Sequence, residues 1–259
     1  MKRKHFNPGT LTAPIPPAMV TVGTMDAPGV LTVAWTGILA THPPKTYVSI
    51  RPSRHSYGML REGGDFVINL PSADLAYAVD YVGIYTGKKV DKFKKAGLTP
   101  IKSERVSAPT IAECPVAIEC VVTDIVPMGT HDVFVADIVG VSCREELLDE
   151  EGKIHFERGD LLAYVHGEYY KLGERVGRFG FSTDRDQAVG VGKPKRAGHD
   201  HKSESRQERR GSDSEKAPSA KGGKEERPFY LDAARAKVKR RANSDKNKGK
   251  PKGKKAAHK

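Results

Sequence analysis

Two runs of eleven residues, VAIECVVTDIV at 116–126 and VFVADIVGVSC at 133–143, are dense in β-branched side chains and are joined by the turn PMGTHD. Such side chains suit a pleated surface, and a short Gly-containing connection suits an antiparallel hairpin. The pair commits the chain to a β-sheet. Further short apolar runs end in Gly, Pro or polar breaks: AMVTVG at 18–23, VLTVAWTGILAT at 30–41, TYVSIR at 46–51 and FVINL at 66–70. Six strands at this spacing favour a barrel or sandwich over alternating βαβ units.

Helical pattern is confined to short pieces. RHSYGMLRE at 54–62 reads as one or two turns. SADLAYAVDYV at 72–82 opens on Ser72 as an N-cap and sets Leu75, Ala78, Val79 and Val82 on one face. GKKVDKFKKAGL at 87–98 reads as a loop and a short amphipathic helix closed by Gly97. The residues alone reach no further than a β-rich domain with small helices.

Charge divides the chain in two. Of 44 basic and 32 acidic residues, the segment 184–259 holds 24 and 11, so the formal charge of +12 belongs to that segment and residues 1–183 are close to neutral. The tail has few large apolar side chains and cannot offset chain entropy by burial, which predicts a disordered Lys/Arg-rich tail behind a folded domain at 1–183. One island, RPFYLDAARAKVKRRA at 227–242, reads first as a slightly less polar stretch of the same disorder, and otherwise as a transient helix, carrying Phe229, Leu231 and Val238, that folds on contact with a partner. The tail's charge suits nonspecific, salt-dependent contact with polyanions, but Phe229 and Tyr230 are its only aromatics, too few for a stacking platform.

Cys114, Cys120 and Cys143 form no CxxC pair and have no His at metal-ligand spacing, so free thiols in a reducing cytoplasm are expected, with no metal site. The start MKRKHFNPG leads into no apolar stretch of signal-peptide type, and no run of 18 apolar residues suggests a membrane span. The expectation is a soluble, cytoplasmic protein without membrane contact.

Two segments could carry chemistry. RPSRHSY at 51–57 follows a strand and leads into a helical turn; it is either a solvated basic loop or one whose cations, hydroxyls and free backbone N–H groups lie together as a phosphate requires. TVAWTGILATHPP at 32–44 carries the only tryptophan; it is either a core strand or a strand whose backbone lines a flat heterocycle, and periodicity does not separate the two. Lys92 and His131 are isolated cations that would matter only beside an anionic ring.

These segments together resemble a known family. TVAWTGILATHPPKTYVSIRPSRHSYGML, FVINLP, VDKFKKAGLTP, GTHDVFVADIVGV and LLAYVHGEYYKLGERVGRFGFS occur in the order seen in flavin reductase-like proteins of the flavoredoxin subgroup, from about residue 12 to residue 182. The resemblance implies a six-stranded antiparallel Greek-key split β-barrel that forms a homodimer and holds FMN non-covalently near the subunit interface. Thr32, Val33, Ala34, Trp35 and Thr36 would line the ring system. Ser53, Arg54 and Ser56 would hold the phosphate, and Lys92, His131 and Tyr164 would approach the cofactor, with His131 as the catalytic candidate. Gly29 departs from the pattern, where relatives often carry a polar amide, so one side-chain contact to the ring is missing; Ser56 replaces the more familiar Thr and keeps its hydroxyl. The implied activity takes a hydride from NAD(P)H on FMN and passes electrons to a flavin or another acceptor of unknown identity. A non-catalytic FMN electron carrier serving a partner protein is the alternative, and a nucleic-acid-associated protein acting through its tail is a second one from another class.

Overall fold

The hairpin read from the sequence is the spine of the sheet. The structure is a computed structural model that describes residues 1–183; the basic segment from 184, with its 227–242 island, lies outside the described residues. Strands β8 (Val116–Pro127) and β9 (Asp132–Cys143) pair antiparallel along their whole length, with irregularities at Glu119/Cys120 and Val122/Asp124. Around them lie β1 (Ala18–Gly23), β2 (Pro28–Val33), β3 (Thr36–Thr41), β4 (Pro44–Ile50) and β5 (Asp65–Leu70), in the order β2-β1-β5-β8-β9-β4-β3. Two short pairs complete the β structure, β6 (Pro100–Ile101) with β7 (Thr110–Ile111) and β10 (Leu162–Val165) with β11 (Glu168–Lys171).

The main sheet has seven strands where six were expected, because the run 30–41 is broken at Ala34–Trp35 into β2 and β3. That break makes the barrel. β2 and β3 are the two outer strands of the sheet, yet only two residues separate them in sequence, so the sheet must curl until its edges meet. At this corner the Ser49 N–H donates to the Trp35 carbonyl at 3.0 Å, which carries the β3–β4 pairing one residue past the start of β3.

Alternation along the strands then sorts side chains into an inside and an outside. Ala18, Val20, Val22, Leu31, Val33, Val48, Ile50, Phe66, Ile68, Cys120, Val122, Phe134 and Ala136 form the inner core. The outer face of β1 and β2 is also covered: Met19 and Val30 pack against Ala78, Val79 and Val82 of α2 (Ala76–Ile84) and Phe93 of α3 (Lys92–Ala96). Three polar strand residues are buried because each satisfies the loop that crosses them. Asp65 accepts from the N–H groups of Ser107 and Ala108, Asn69 from that of Ile111, and Glu119 from those of Glu104 and Arg105.

The helix expected over 54–62 is α1 (His55–Gly63), and Gly97 closes α3 in the left-handed conformation, as its sequence predicts. The helix over 72–82 begins as a 3-10 turn at Ala73–Leu75, and Ser72 makes no capping hydrogen bond; its backbone bridges to Leu161 instead. Residues 1–172 belong to one compact unit; residues 173–183 belong to a second and end in a 3-10 turn at Phe181–Thr183. Among the described residues no helix is long and apolar enough to cross a membrane, and no group of His, Cys, Asp and Glu side chains could hold a metal ion.

A candidate cofactor site of cations and aromatic walls

The barrel seam opens into a groove with two chemically distinct ends. Strand β4 delivers Arg51, Pro52 and Ser53 to a turn in which the Arg54 N–H donates to the Arg51 carbonyl, and α1 starts directly after it. No side chain caps α1; of its first-turn donors the Tyr57 N–H goes to the Arg54 carbonyl at 3.1 Å, which leaves those of His55 and Ser56 at the cavity wall. This end is a cavity of about 370 Å³ whose wall includes Arg51, Ser53, Arg54, Ser56, Tyr85 and Lys92 and contains no carboxylate. Among the described residues no carboxylate pairs with Arg54.

Lys92 strengthens the cationic character in an unexpected way. The sequence KKVDKF reads as a solvated face, and Lys94 and Lys95 are indeed exposed, but Lys92 is buried. Its ammonium donates to the carbonyls of Val30 at 2.8 Å and Val82 at 2.7 Å, tying the free edge of β2 to the last turn of α2. Burial, with the charge of Arg54 added, pushes its pKa down to about 8.

The second end is a cavity of about 430 Å³ that shares Leu31, Arg51 and Arg54 with the wall of the first. One wall is the β2 edge, Thr32, Val33 and Ala34, with Trp35; on that edge β2 has no neighbouring strand, so half of its backbone donors and acceptors lack ladder partners. The Val33 side chain points into the barrel core, which leaves its backbone for the groove. Thr36 does not line the cavity: its hydroxyl donates to the Tyr47 carbonyl at 2.6 Å, a bond that holds β3 to β4. Thr32 likewise spends its hydroxyl on the Val79 carbonyl at 2.5 Å, so its contribution to the wall is backbone.

His131 reaches this cavity from the β8–β9 turn and stands against Trp35, ring centroids 4.6 Å apart. Arg51 Nε donates to His131 Nε2 at 3.4 Å, and His131 Nδ1 lies 3.0 Å from the Thr130 hydroxyl. Desolvation and the Arg51 charge both lower the His131 pKa, which favours the neutral ring. Tyr164 lines the cavity from β10.

Ser53, Arg54, Ser56 and Lys92 therefore gather at the cationic end, and Thr32, Val33, Ala34, Trp35, His131 and Tyr164 at the aromatic end. Gly29 is explained by packing: a Cβ there would meet Met59 Sδ at 2.8 Å and Val22 Cγ2 at 2.9 Å, so a side chain in its place requires Met59 to move. Residues that sequence reasoning missed are Thr10, Thr12 and Ile15 of the N-terminal arm, together with His166. The arm is pinned by two backbone bonds between Ile15 and Tyr164, at 3.1 and 2.8 Å. Its one sequence signal is the proline cluster at 14, 16 and 17, which imposes extended backbone. His166 sits in the β10–β11 turn with φ of 48°, beside Gly167 at 104°, the signs that a type I′ hairpin turn needs.

The donor set fits a flavin mononucleotide. Charge-assisted donors and a helix N-terminus answer a phosphate, while a flat wall of backbone amides and aromatic side chains answers a heterocycle with alternating donors and acceptors.

Comparison with known proteins agrees with this chemistry. The family model described as flavin reductase like domain matches residues 11–173. Flavoredoxin of Desulfovibrio vulgaris (Miyazaki F) is 32% identical and superposes with a TM-score of 0.66, over 71% of this chain and 100% of that one. An FMN-binding protein from Thermus thermophilus, solved with bound 1-cyclohex-2-enone, is 26% identical with a TM-score of 0.59, over 68% of this chain and 99% of that one. An uncharacterized protein of Archaeoglobus fulgidus is 32% identical over 136 residues, 52% of this chain and 77% of its own. The chain belongs to the flavin reductase-like domain family.

Proposed function

We propose that the protein is an FMN-dependent oxidoreductase that takes reducing equivalents from NADH or NADPH. The observation that carries this reading is the carboxylate-free cationic cavity that shares Leu31, Arg51 and Arg54 with the aromatic cavity beside the β2 edge. Bound there, FMN would supply the redox centre, accepting a hydride from the nicotinamide and returning electrons to a flavin or another acceptor. Arg54, Ser53, Ser56 and the first turn of α1 hold the phosphate. Thr32, Val33 and Ala34 present backbone groups to the ring edge, and Trp35 and Tyr164 exclude water from its surroundings. Arg51 sets a positive charge near the ring, and His131, whose neutral form its surroundings favour, supplies a proton path beside it.

The likeness to a flavoredoxin favours a second reading, an electron carrier reduced by a partner protein. The visible absorbance of purified protein tests the shared part: two flavin bands, and free FMN released on heating. Stopped-flow mixing with NADH or NADPH separates the readings. Rapid bleaching supports the enzyme, whereas no bleaching beside fast reduction by a partner supports the carrier. We also propose a homodimer, because the outer strand β3 exposes Ile38 and Leu39, apolar side chains on an edge that a second copy would cover.

Lys92 gives this reading a pH signature. Its charge assists an anion only below about pH 8, and a bound phosphate favours the protonated form. FMN affinity is therefore expected to fall as pH rises from 7 to 9.5, and to fall less in Lys92→Met. Fluorescence titration at the two pH values measures both slopes; equal slopes would remove Lys92 from phosphate binding.

A further inference from the structure

Three tyrosines stand at four-residue spacing along α2 and just past its end, Tyr77, Tyr81 and Tyr85. Residues so spaced lie on one side of a helix. Their rings form a ladder, with centroids 6.0 Å apart between Tyr77 and Tyr81 and 4.3 Å between Tyr81 and Tyr85, tilted by only 29° and 28°. The ladder is not core: Tyr77 is 72% exposed and Tyr85 49%. It ends in the cationic cavity, where Tyr85 shares the wall with Arg54, Ser56 and Lys92. Tyr81 backs one face of Tyr85 and limits its rotation. A neighbouring cavity shares His55, Ser56 and Lys92 with this one and adds two further cations, Lys88 and Lys89, with one carboxylate, Asp91.

We infer that Tyr85 is the stacking platform for the adenine ring of an adenine dinucleotide whose phosphates lie along the cationic cavity. The inference rests on the proposed phosphate site and extends it. A phosphate alone needs only the Arg54 end. An open aromatic face, held rigid at the rim of that end and followed by two more lysines, is the combination that reads a base attached to a second phosphate. FAD and NAD(P)H both carry this adenylate chemistry, and the experiment separates them.

Affinities of FMN and FAD are measured by fluorescence titration for the full-length apoprotein and its Tyr85→Ala and Tyr85→Phe variants, with the apparent KM for NADH and NADPH. If the adenine is that of FAD, Tyr85→Ala weakens FAD about tenfold, in the lower part of the range for base stacking. FMN then stays within about twofold, and Tyr85→Phe keeps the FAD affinity. If it is that of the nicotinamide nucleotide, FMN and FAD are unaffected while Tyr85→Ala raises the apparent KM about tenfold and Tyr85→Phe does not. The inference is overturned if all quantities stay within twofold, if FMN and FAD weaken equally, or if Tyr85→Phe fails as badly as Tyr85→Ala. Wild-type protein that binds no FMN at all defeats the phosphate-site reading itself, an outcome distinct from the loss of Tyr85's role alone.

Discussion

Arg54→Ala is expected to lower FMN affinity about ten- to hundredfold while leaving the fold intact. Arg54 is exposed, precedes α1 as its N-cap residue and takes part in the turn through its backbone N–H, which alanine retains. What alanine removes is the charge-assisted bond to an anion, worth about 1.5–3 kcal/mol. Neighbouring cations do not replace it: Arg51 is turned to His131, and Lys92 is fixed by two carbonyls. Arg54→Lys is expected to recover only part of the loss, because an ammonium is a point charge without the planar fork of a guanidinium. Fluorescence titration with FMN, at low and at physiological salt, measures both variants. An Arg54→Ala protein that binds FMN as tightly as wild type would take Arg54 out of the site.

The sequence was most legible where a single local pattern decides the structure. The hairpin of β8 and β9, the short strands β1 and β5, and the loop that opens α1 lie where β-branched runs and turn residues put them, and the resemblance supplied the closure into a barrel. The break at Ala34–Trp35 was hidden because β-branched residues continue on both sides of it; what ends β2 and starts β3 is the meeting of two distant sheet edges, a tertiary event. Buried Asp65 and Glu119 were equally hidden, since a carboxylate on a strand looks the same whether it faces water or the N–H groups of a crossing loop. Lys92 sits in a lysine-rich stretch and only the packing of α2 and β2 reveals that it is buried. The arm from Thr10 to Ile15 has no periodicity, and its role depends on Tyr164, far along the chain.

Phe134→Ala should have the largest effect on stability, about 3–5 kcal/mol, through the cavity left in a core that cannot collapse around it. Phe134 is fully buried on β9 and meets Tyr57 of α1 edge to face, centroids 5.4 Å apart at 74°. Tyr57 in turn donates to Asp132 at 2.5 Å and accepts from Arg61 at 3.2 Å, so the ring of Phe134 couples the barrel interior to the helix whose first turn faces the cationic cavity. Against a total stability of about 5–15 kcal/mol for a domain, the loss lowers the melting temperature by on the order of 10 °C. Phe134→Leu, which fills most of the space, should cost far less; a loss below about 1 kcal/mol in Phe134→Ala would show that the site relaxes. Melting with and without saturating FMN then separates packing from binding, because a ligand that binds only the folded state raises the melting temperature by an amount set by its affinity. Phe134→Ala lowers the ligand-free melting temperature and keeps most of the FMN-induced rise, whereas Arg54→Ala keeps the ligand-free value and loses the rise. If both variants moved both quantities together, the cationic loop and the barrel core would have to be a single cooperative unit, and α1 would be the element through which each depends on the other.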